Sequence, residues 1–252
     1  MPRNRIQLAN NEFYHVVNRG VEQRSIFLDN KDRIRFINSL LVFNDSKAAP
    51  WSLRGFWDQN HPGAIYDYIQ EDPLVEIHCF CFMENHFHLL LRQIKENGIS
   101  EFMKKVGGYV SYFNKKYNRK GPLFQGRFKA VLIKTEEQLI NTFCYIHTNP
   151  VEIIEPGWKD YIVKDKNKAN NFVQGYRWSS YGSFIGEGEF DNVIKKDLFL
   201  DIFGDENKVK KEISAWISYK ASRAAIEKIN IANFQESTGS DPVDKNQRGR
   251  TP

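Results

Sequence analysis

The 252-residue chain has no apolar run approaching the roughly 20 residues that a membrane-spanning helix needs, so a helical membrane protein is not expected. Its first residues, MPRNRIQLANNEF, lack the apolar core of a signal peptide, and a cytoplasmic location follows as the expectation. Cysteine is scarce: Cys79, Cys81 and Cys144 form no CxxC pair, and an odd count argues against a disulfide framework, which leaves reduced packing thiols. No internal repeat is present. What remains is 41% hydrophobic and 27% charged, the balance of a globular protein with one main domain. A net charge of +5 suits a polyanionic partner without requiring one.

Phe13 to Val17 reads as a first strand closed by the turn Asn18-Arg19-Gly20, and Asn30-Lys31-Asp32 then caps a helix with Ile34, Phe36, Ile37, Leu40 and Leu41 at helical spacing. From Asn44 to Pro73 the periodicity fails; this segment, with Trp51, Trp57 and Tyr66 among prolines and glycines, reads as an insertion. Val75 to Met83 alternates, with Ile77, Cys79 and Cys81 on one face and His78, Phe80 and Phe82 on the other. Glu84-Asn85 turns the chain, and His86 to Arg92 returns as the second strand of an antiparallel hairpin.

One amphipathic helix is expected over Ile99 to Lys116, opened by Ser100. A basic turn, a strand from Phe128 to Ile133 and a helix capped by Thr135 and ended by Pro150 follow. Lys208 to Arg223 carries Val209, Ile213, Trp216 and Ile217 on one helical stripe, and Glu236 to Pro252 has the polarity of a disordered tail. This order predicts an α+β fold of the ferredoxin-like or RRM-like kind, a central antiparallel sheet with helices packed on one side, plus a C-terminal helical extension. The expected divisions are a catalytic domain over 1–190 that contains the 44–73 insertion, a helical extension over 191–231 and a tail over 232–252.

The chemistry concentrates in His86-Phe87-His88. Two residues apart on a strand, both imidazoles point to one face, which is half of a metal site or a pair of structural histidines. Asn149 supplies an oxygen donor suited to Mg²⁺ or Mn²⁺, and Tyr145, one helical turn earlier, is either a core tyrosine or a nucleophile for a phosphodiester. Lys115 to Lys129 mixes basic residues with Tyr117, Phe124 and Phe128, a composition that can hold phosphates and stack bases.

Five segments in order carry a resemblance: Tyr14 to Gly20 (YHVVNRG), Glu84 to Leu91 (ENHFHLLL), Gly121 to Ala130 (GPLFQGRFKA), Tyr145 to Val151 (YIHTNPV) and Trp178 to Tyr181 (WSSY). Together the chain resembles the REP-associated tyrosine transposases, single-tyrosine HUH-type enzymes acting on single-stranded DNA. The resemblance implies that His86, His88 and Asn149 bind a divalent metal, Mg or Mn, and that Tyr145 is the nucleophile, forming a 5′-phosphotyrosine and a free 3′-OH. It implies a single-stranded or hairpin DNA partner, with Arg19, Lys115, Lys116, Arg119, Lys120, Arg127 and Lys129 as DNA contacts. Tyr109, Tyr112 and Tyr117 do not match the family's motif and are expected to pack or touch DNA. Both monomer and homodimer fit the resemblance. Two rival readings stand beside it: a catalytically silent repeat-DNA-binding module, and a metal-dependent hydrolase that needs a carboxylate base such as Glu84.

Overall fold

The computed structural model describes residues 8–47 and 68–220. Strands β1 (Phe13–Arg19), β2 (Val75–Phe82), β3 (His86–Gln93) and β4 (Lys129–Ile133) form one antiparallel sheet in the order β2-β3-β1-β4. Both β1 and β2 are antiparallel to β3, which lies between them, and α1 (Asn30–Val42) connects them. This split β-α-β arrangement is the ferredoxin-like topology expected from the element order. The centre of the 44–73 insertion, with Trp51, Trp57 and Tyr66, lies outside the described residues, as do the end of the 191–231 extension and the 232–252 tail.

Register sorts the side chains into two faces. On one, Phe82 lies opposite Phe87, Phe80 opposite Leu89 and Ile77 opposite Leu91; on the other, Cys81 lies opposite His88 and Cys79 opposite Leu90. Ile77 and Cys79 therefore occupy different faces, against the simple alternation expected. The reason is a bulge: the register shifts between Ile77 and Cys79, which leaves His78 as the extra residue and flips the side-chain parity beyond it.

The expectation of helices on one side is also corrected. The apolar face packs on α1, where Phe36 meets Phe82 at 5.2 Å and Phe87 at 4.9 Å between ring centroids. Helices α2 (Gly98–Val106) and α3 (Tyr109–Lys116) complete that layer, with Tyr109 also packed on Phe36. The histidine face is covered by α4 (Glu136–Thr148), because that helix has its own buried stripe, Leu139, Phe143, Cys144 and Ile146, to place against an apolar surface.

The single helix expected over Ile99 to Lys116 is two. Gly107 and Gly108 separate them, and Gly108, Val110 and Ser111 donate to carbonyls three residues back, the tighter turn that glycine's freedom permits. The first is capped at Asn97 in the left-handed region, φ 58°, rather than at Ser100. Pro150 likewise does not end the helical path. Lacking an N–H, it interrupts the ladder of α4, but its φ of −60° suits a new start, and α5 (Val151–Ile154) follows directly.

Beyond α5 come α6 (Lys166–Gln174), α7 (Tyr181–Phe184), α8 (Asp197–Phe203) and a helical stretch over 206–220. Val209, Ile213 and Ile217 are buried on the expected stripe and join the same cluster as the sheet. The WSSY segment covers the outer edge of β2: Phe82 N donates to Trp178 O (2.9 Å) and Ser180 N to Phe80 O (3.0 Å), which removes an edge open to pairing. All three cysteines are buried and free. Among the described residues no helix is long and apolar enough to cross a membrane.

Candidate active site

A two-residue turn, in which Met83 N donates to His86 O at 2.9 Å, starts β3 at His86. The strand then directs His86 and His88 onto the α4 face, opposite Arg19 and Val17 of β1. One pair further on is His15, opposite Leu90. Its Nε2 lies 2.8 Å from Nδ1 of His88, and the two rings stack with centroids 5.0 Å apart. Tyr145 descends from α4 and sets its ring edge-on to both, 5.7 Å from His15 and 5.5 Å from His88. The helix carrying the tyrosine therefore lies directly over the strand carrying the histidines.

At the other end of this cluster, Nδ1 of His86 lies 2.6 Å from Oδ1 of Asn85. A carboxamide oxygen only accepts, so Nδ1 carries the proton and the lone pair of His86 resides on Nε2. The Asn149 side chain is hydrogen-bonded to the His86 ring, and its Nδ2 also reaches back to Tyr145 O at 3.4 Å. Nε2 of His88 is buried and has no hydrogen-bond partner. A buried ring nitrogen left bare is costly unless something else meets it.

Burial holds all three imidazoles neutral at pH 7. It lowers His86 and His15 to about 4 and takes His88 well below its usual value, with the positive charges of Arg19 and Lys159 pushing His86 and His88 the same way. Neutral imidazoles with outward lone pairs are ready ligands. Among the described residues no group of three or more His, Cys, Asp or Glu side chains could hold a metal; the amide of Asn149 lies against the His86 ring. Two imidazoles and one oxygen donor fit a divalent cation that keeps open positions for water or phosphate.

The sequence pattern missed His15 and Asn85. Each holds the Nδ1 of one histidine, the outer-shell role that fixes ring orientation. Asn85 is adjacent in sequence and could have been noticed; His15 is 73 residues from His88, and only strand pairing joins them.

The basic residues divide. Arg19 and Lys129 fall on the histidine face, Arg19 opposite His86 and Lys129 opposite Val17. Lys115, Arg119 and Lys120 sit at the end of α3 in the other helical layer, and Arg127 lines a cavity of about 530 Å³ beside Phe87 and Phe124. Lys116 is committed inside the fold: its Nζ donates to Asp29 Oδ2 at 2.8 Å and to the fully buried Asp32 at 2.7 Å. Tyr112 and Tyr117 donate to the same Asp32, and Tyr109 donates to Ile26 O, so these tyrosines pack remote from the histidines. Glu84 sits in the hairpin turn, where it accepts from Ser25.

The fold is α+β, and one face of its sheet brings His86, His88, Tyr145 and Asn149 together. Residues 53–149, which include His86, His88, Tyr145 and Asn149, match the family model described as "Transposase IS200 like". A solved REP-associated tyrosine transposase bound to a REP hairpin is similar at 15% identity and a TM-score of 0.44, covering 79% of this chain and 93% of its own. A bacterial tRNA(His) guanylyltransferase-like protein in complex with ATP is similar at 12% identity and a TM-score of 0.33, covering 69% and 71% respectively. No curated protein matches the chain.

Proposed function

We propose that the chain is a metal-dependent single-stranded DNA strand transferase that cuts by forming a 5′-phosphotyrosine at Tyr145. The observation carrying this reading is the packing of the Tyr145 ring against His88 and His15, with Asn149 one turn on against His86. A tyrosine, two neutral imidazoles, one of them with a ring nitrogen lacking a hydrogen-bond partner, and an oxygen donor come together within one turn of helix and two residues of strand. The match of residues 53–149 to the IS200-like transposase family supports it.

His86, His88 and Asn149 would hold the divalent ion, Mg or Mn, which would supply polarisation of the scissile phosphate. The chain's own groups then do the following. Asn85 and His15 hold the Nδ1 atoms of His86 and His88, which fixes the rings and leaves Nε2 of each as the ligating nitrogen. Arg19 places positive charge beside those rings, which favours a phosphodiester in the site. The Tyr145 oxygen attacks phosphorus, the bond from phosphorus to the 3′-oxygen breaks, and the proton released by the phenol and the one taken up by the 3′-oxygen exchange with water. Attack by a second 3′-OH reverses the step and joins strands without ATP.

DNA is bound by Arg19 and Lys129 on the histidine face and by Lys115, Arg119, Lys120 and Arg127 on the other layer. Lys116 leaves the expected set because its ammonium is held by Asp29 and Asp32. The test is to incubate the chain with Mg²⁺ or Mn²⁺ and labelled hairpin-bearing single strands. A covalent adduct that survives denaturation and vanishes in Tyr145→Phe is expected. An adduct that persists in Tyr145→Phe overturns the nucleophile; binding with no adduct favours a silent binding module, and cleavage with no adduct favours a hydrolase.

A further inference from the structure

Two cavities flank the site at opposite ends, and they differ in kind. One, of about 720 Å³, opens beside His86; its wall sets Arg19, Arg33, Lys159 and Arg177 against Glu84 and Glu152, an excess of positive charge, and includes the rings of Phe172 and Tyr176. The other, of about 520 Å³, opens beside Tyr145 and is lined by His15, Val131, Gln138, Asn141 and Trp216, among others, with no Lys or Arg in its wall. Their separation follows from the register, since Arg19 and His86 mark one end of the paired segment and His15 lies four residues further along β1. It also follows from the helix, because Asn149 reaches His86 while Tyr145 stacks at the His15 end.

Displacement at phosphorus runs in line: the attacking and leaving oxygens stand on opposite sides. Tyr145 approaches from the cavity that it lines, where the Lys220 ammonium lies 6.0 Å from its ring, so the leaving oxygen departs toward the cationic cavity beside His86. Formation of a 5′-phosphotyrosine breaks the bond to the 3′-oxygen, and the leaving group is therefore the nucleotide immediately 5′ of the break. We infer that the cationic cavity beside His86 is the subsite for this nucleotide, and that after cleavage it holds the same strand by its 3′-hydroxyl end. The inference rests on the tyrosine strand-transfer reading and gives it a polarity.

The chemistry of the walls suits that occupant. Arg19 already acts on the site's imidazoles, so its charge reaches the position of the phosphate, while Lys159 in the same wall is paired with Glu152 at 2.6 Å. Arg33 lines the same cavity with its guanidinium 5.4 Å from the Trp178 ring. Phe172 and Tyr176, half-buried with ring centroids 5.8 Å apart, offer an aromatic wall for a base. Rejoining requires a 3′-hydroxyl to approach phosphotyrosine from the side opposite Tyr145. By microscopic reversibility the incoming strand enters the same cavity, so the released and the acceptor strand compete for it.

The test uses photocrosslinking with the Tyr145→Phe chain, which leaves the strand intact and the cationic cavity unaltered. A hairpin-bearing single strand carries 5-iodouracil at one position at a time, and the break is mapped separately with the unaltered chain and an end label. The expected result is a crosslink from the nucleotide immediately 5′ of the break to residues 172–178, read by mass spectrometry. A crosslink to that segment from the first nucleotide 3′ of the break, or none from the 5′ nucleotide, overturns the inference while leaving the tyrosine chemistry standing. Absence of any covalent adduct with the unaltered chain removes the strand-transfer reading itself, and this inference with it.

Discussion

The two faces of the sheet are buried almost equally and are built for different ends. Phe87 and His88 are neighbours on β3, 1% and 4% exposed. Phe87 joins a wholly apolar layer with Phe36 and Phe82, where every contact lowers the free energy of the fold. His88 is buried with a bare ring nitrogen beside two further imidazoles, an arrangement that costs stability unless a ligand meets it. Burial on one face is a source of stability and on the other a tolerated cost. Such local conflict with packing rules marks a functional surface.

If that contrast is right, substitutions on the two faces separate activity from stability. The largest effect expected is Tyr145→Phe, which lowers adduct formation by roughly 10⁴-fold or more while the melting temperature stays within a few degrees. A melting temperature that collapses with the activity breaks the contrast. Phe87→Ala on the apolar face destabilises by about 3–5 kcal/mol, read from urea unfolding, because its ring is fully enclosed. A cost under about 1 kcal/mol there means that the layer has room to collapse and the packing argument fails.

His15→Ala releases Nδ1 of His88 and weakens Mn²⁺ binding, measured by titration of the metal alone, by about 10–100-fold. His15→Gln, which keeps an acceptor, restores part of it; equal affinity in all three chains rules out a positioning role.

The histidines also set a pH dependence. His15 and His86 have folded-state values near 4 and His147 near 3, all depressed by burial from 6.5. Above pH 6.5 both folded and unfolded chains hold these rings neutral and the linkage is silent. Between 6.5 and about 4 the unfolded chain binds protons that the folded chain refuses, so stability falls as the pH falls, by up to about 1.4 kcal/mol per pH unit for each group. Urea midpoints at pH 7.5, 6.0 and 5.0 check this; a flat or rising series contradicts it. The smallest effect distinguishes two adjacent lysines: Lys115→Ala shallows the salt dependence of DNA binding by about one unit of slope, whereas Lys116→Ala leaves that slope unchanged and lowers stability.

Much of the fold was legible because it is written locally. The hairpin around Glu84-Asn85, the cap at Thr135 and the buried stripe Val209-Ile213-Ile217 each depend on residues a few positions apart, where period and capping chemistry speak directly. Local reading failed where a single residue altered the phase. The bulge at His78 reversed the faces of β2, and Gly107-Gly108 divided a helix whose apolar period runs on through both halves. The site was legible in its most compact part, two histidines on one strand and a tyrosine-asparagine pair on one helix.

By itself the sequence determined the order of the sheet strands and of the helices that pack on them, and that His86 and His88 share a face, since an unbroken strand has a two-residue period. Only the tertiary structure decided that α4 lies over those histidines, that His15 closes on His88, that Lys116 is held by Asp29 and Asp32, and that the two ends of the site open on different cavities. Each of these depends on contacts between segments far apart in the chain. Periodicity carries no information about them, because they are set by how the sheet and its two helical layers bury their faces together.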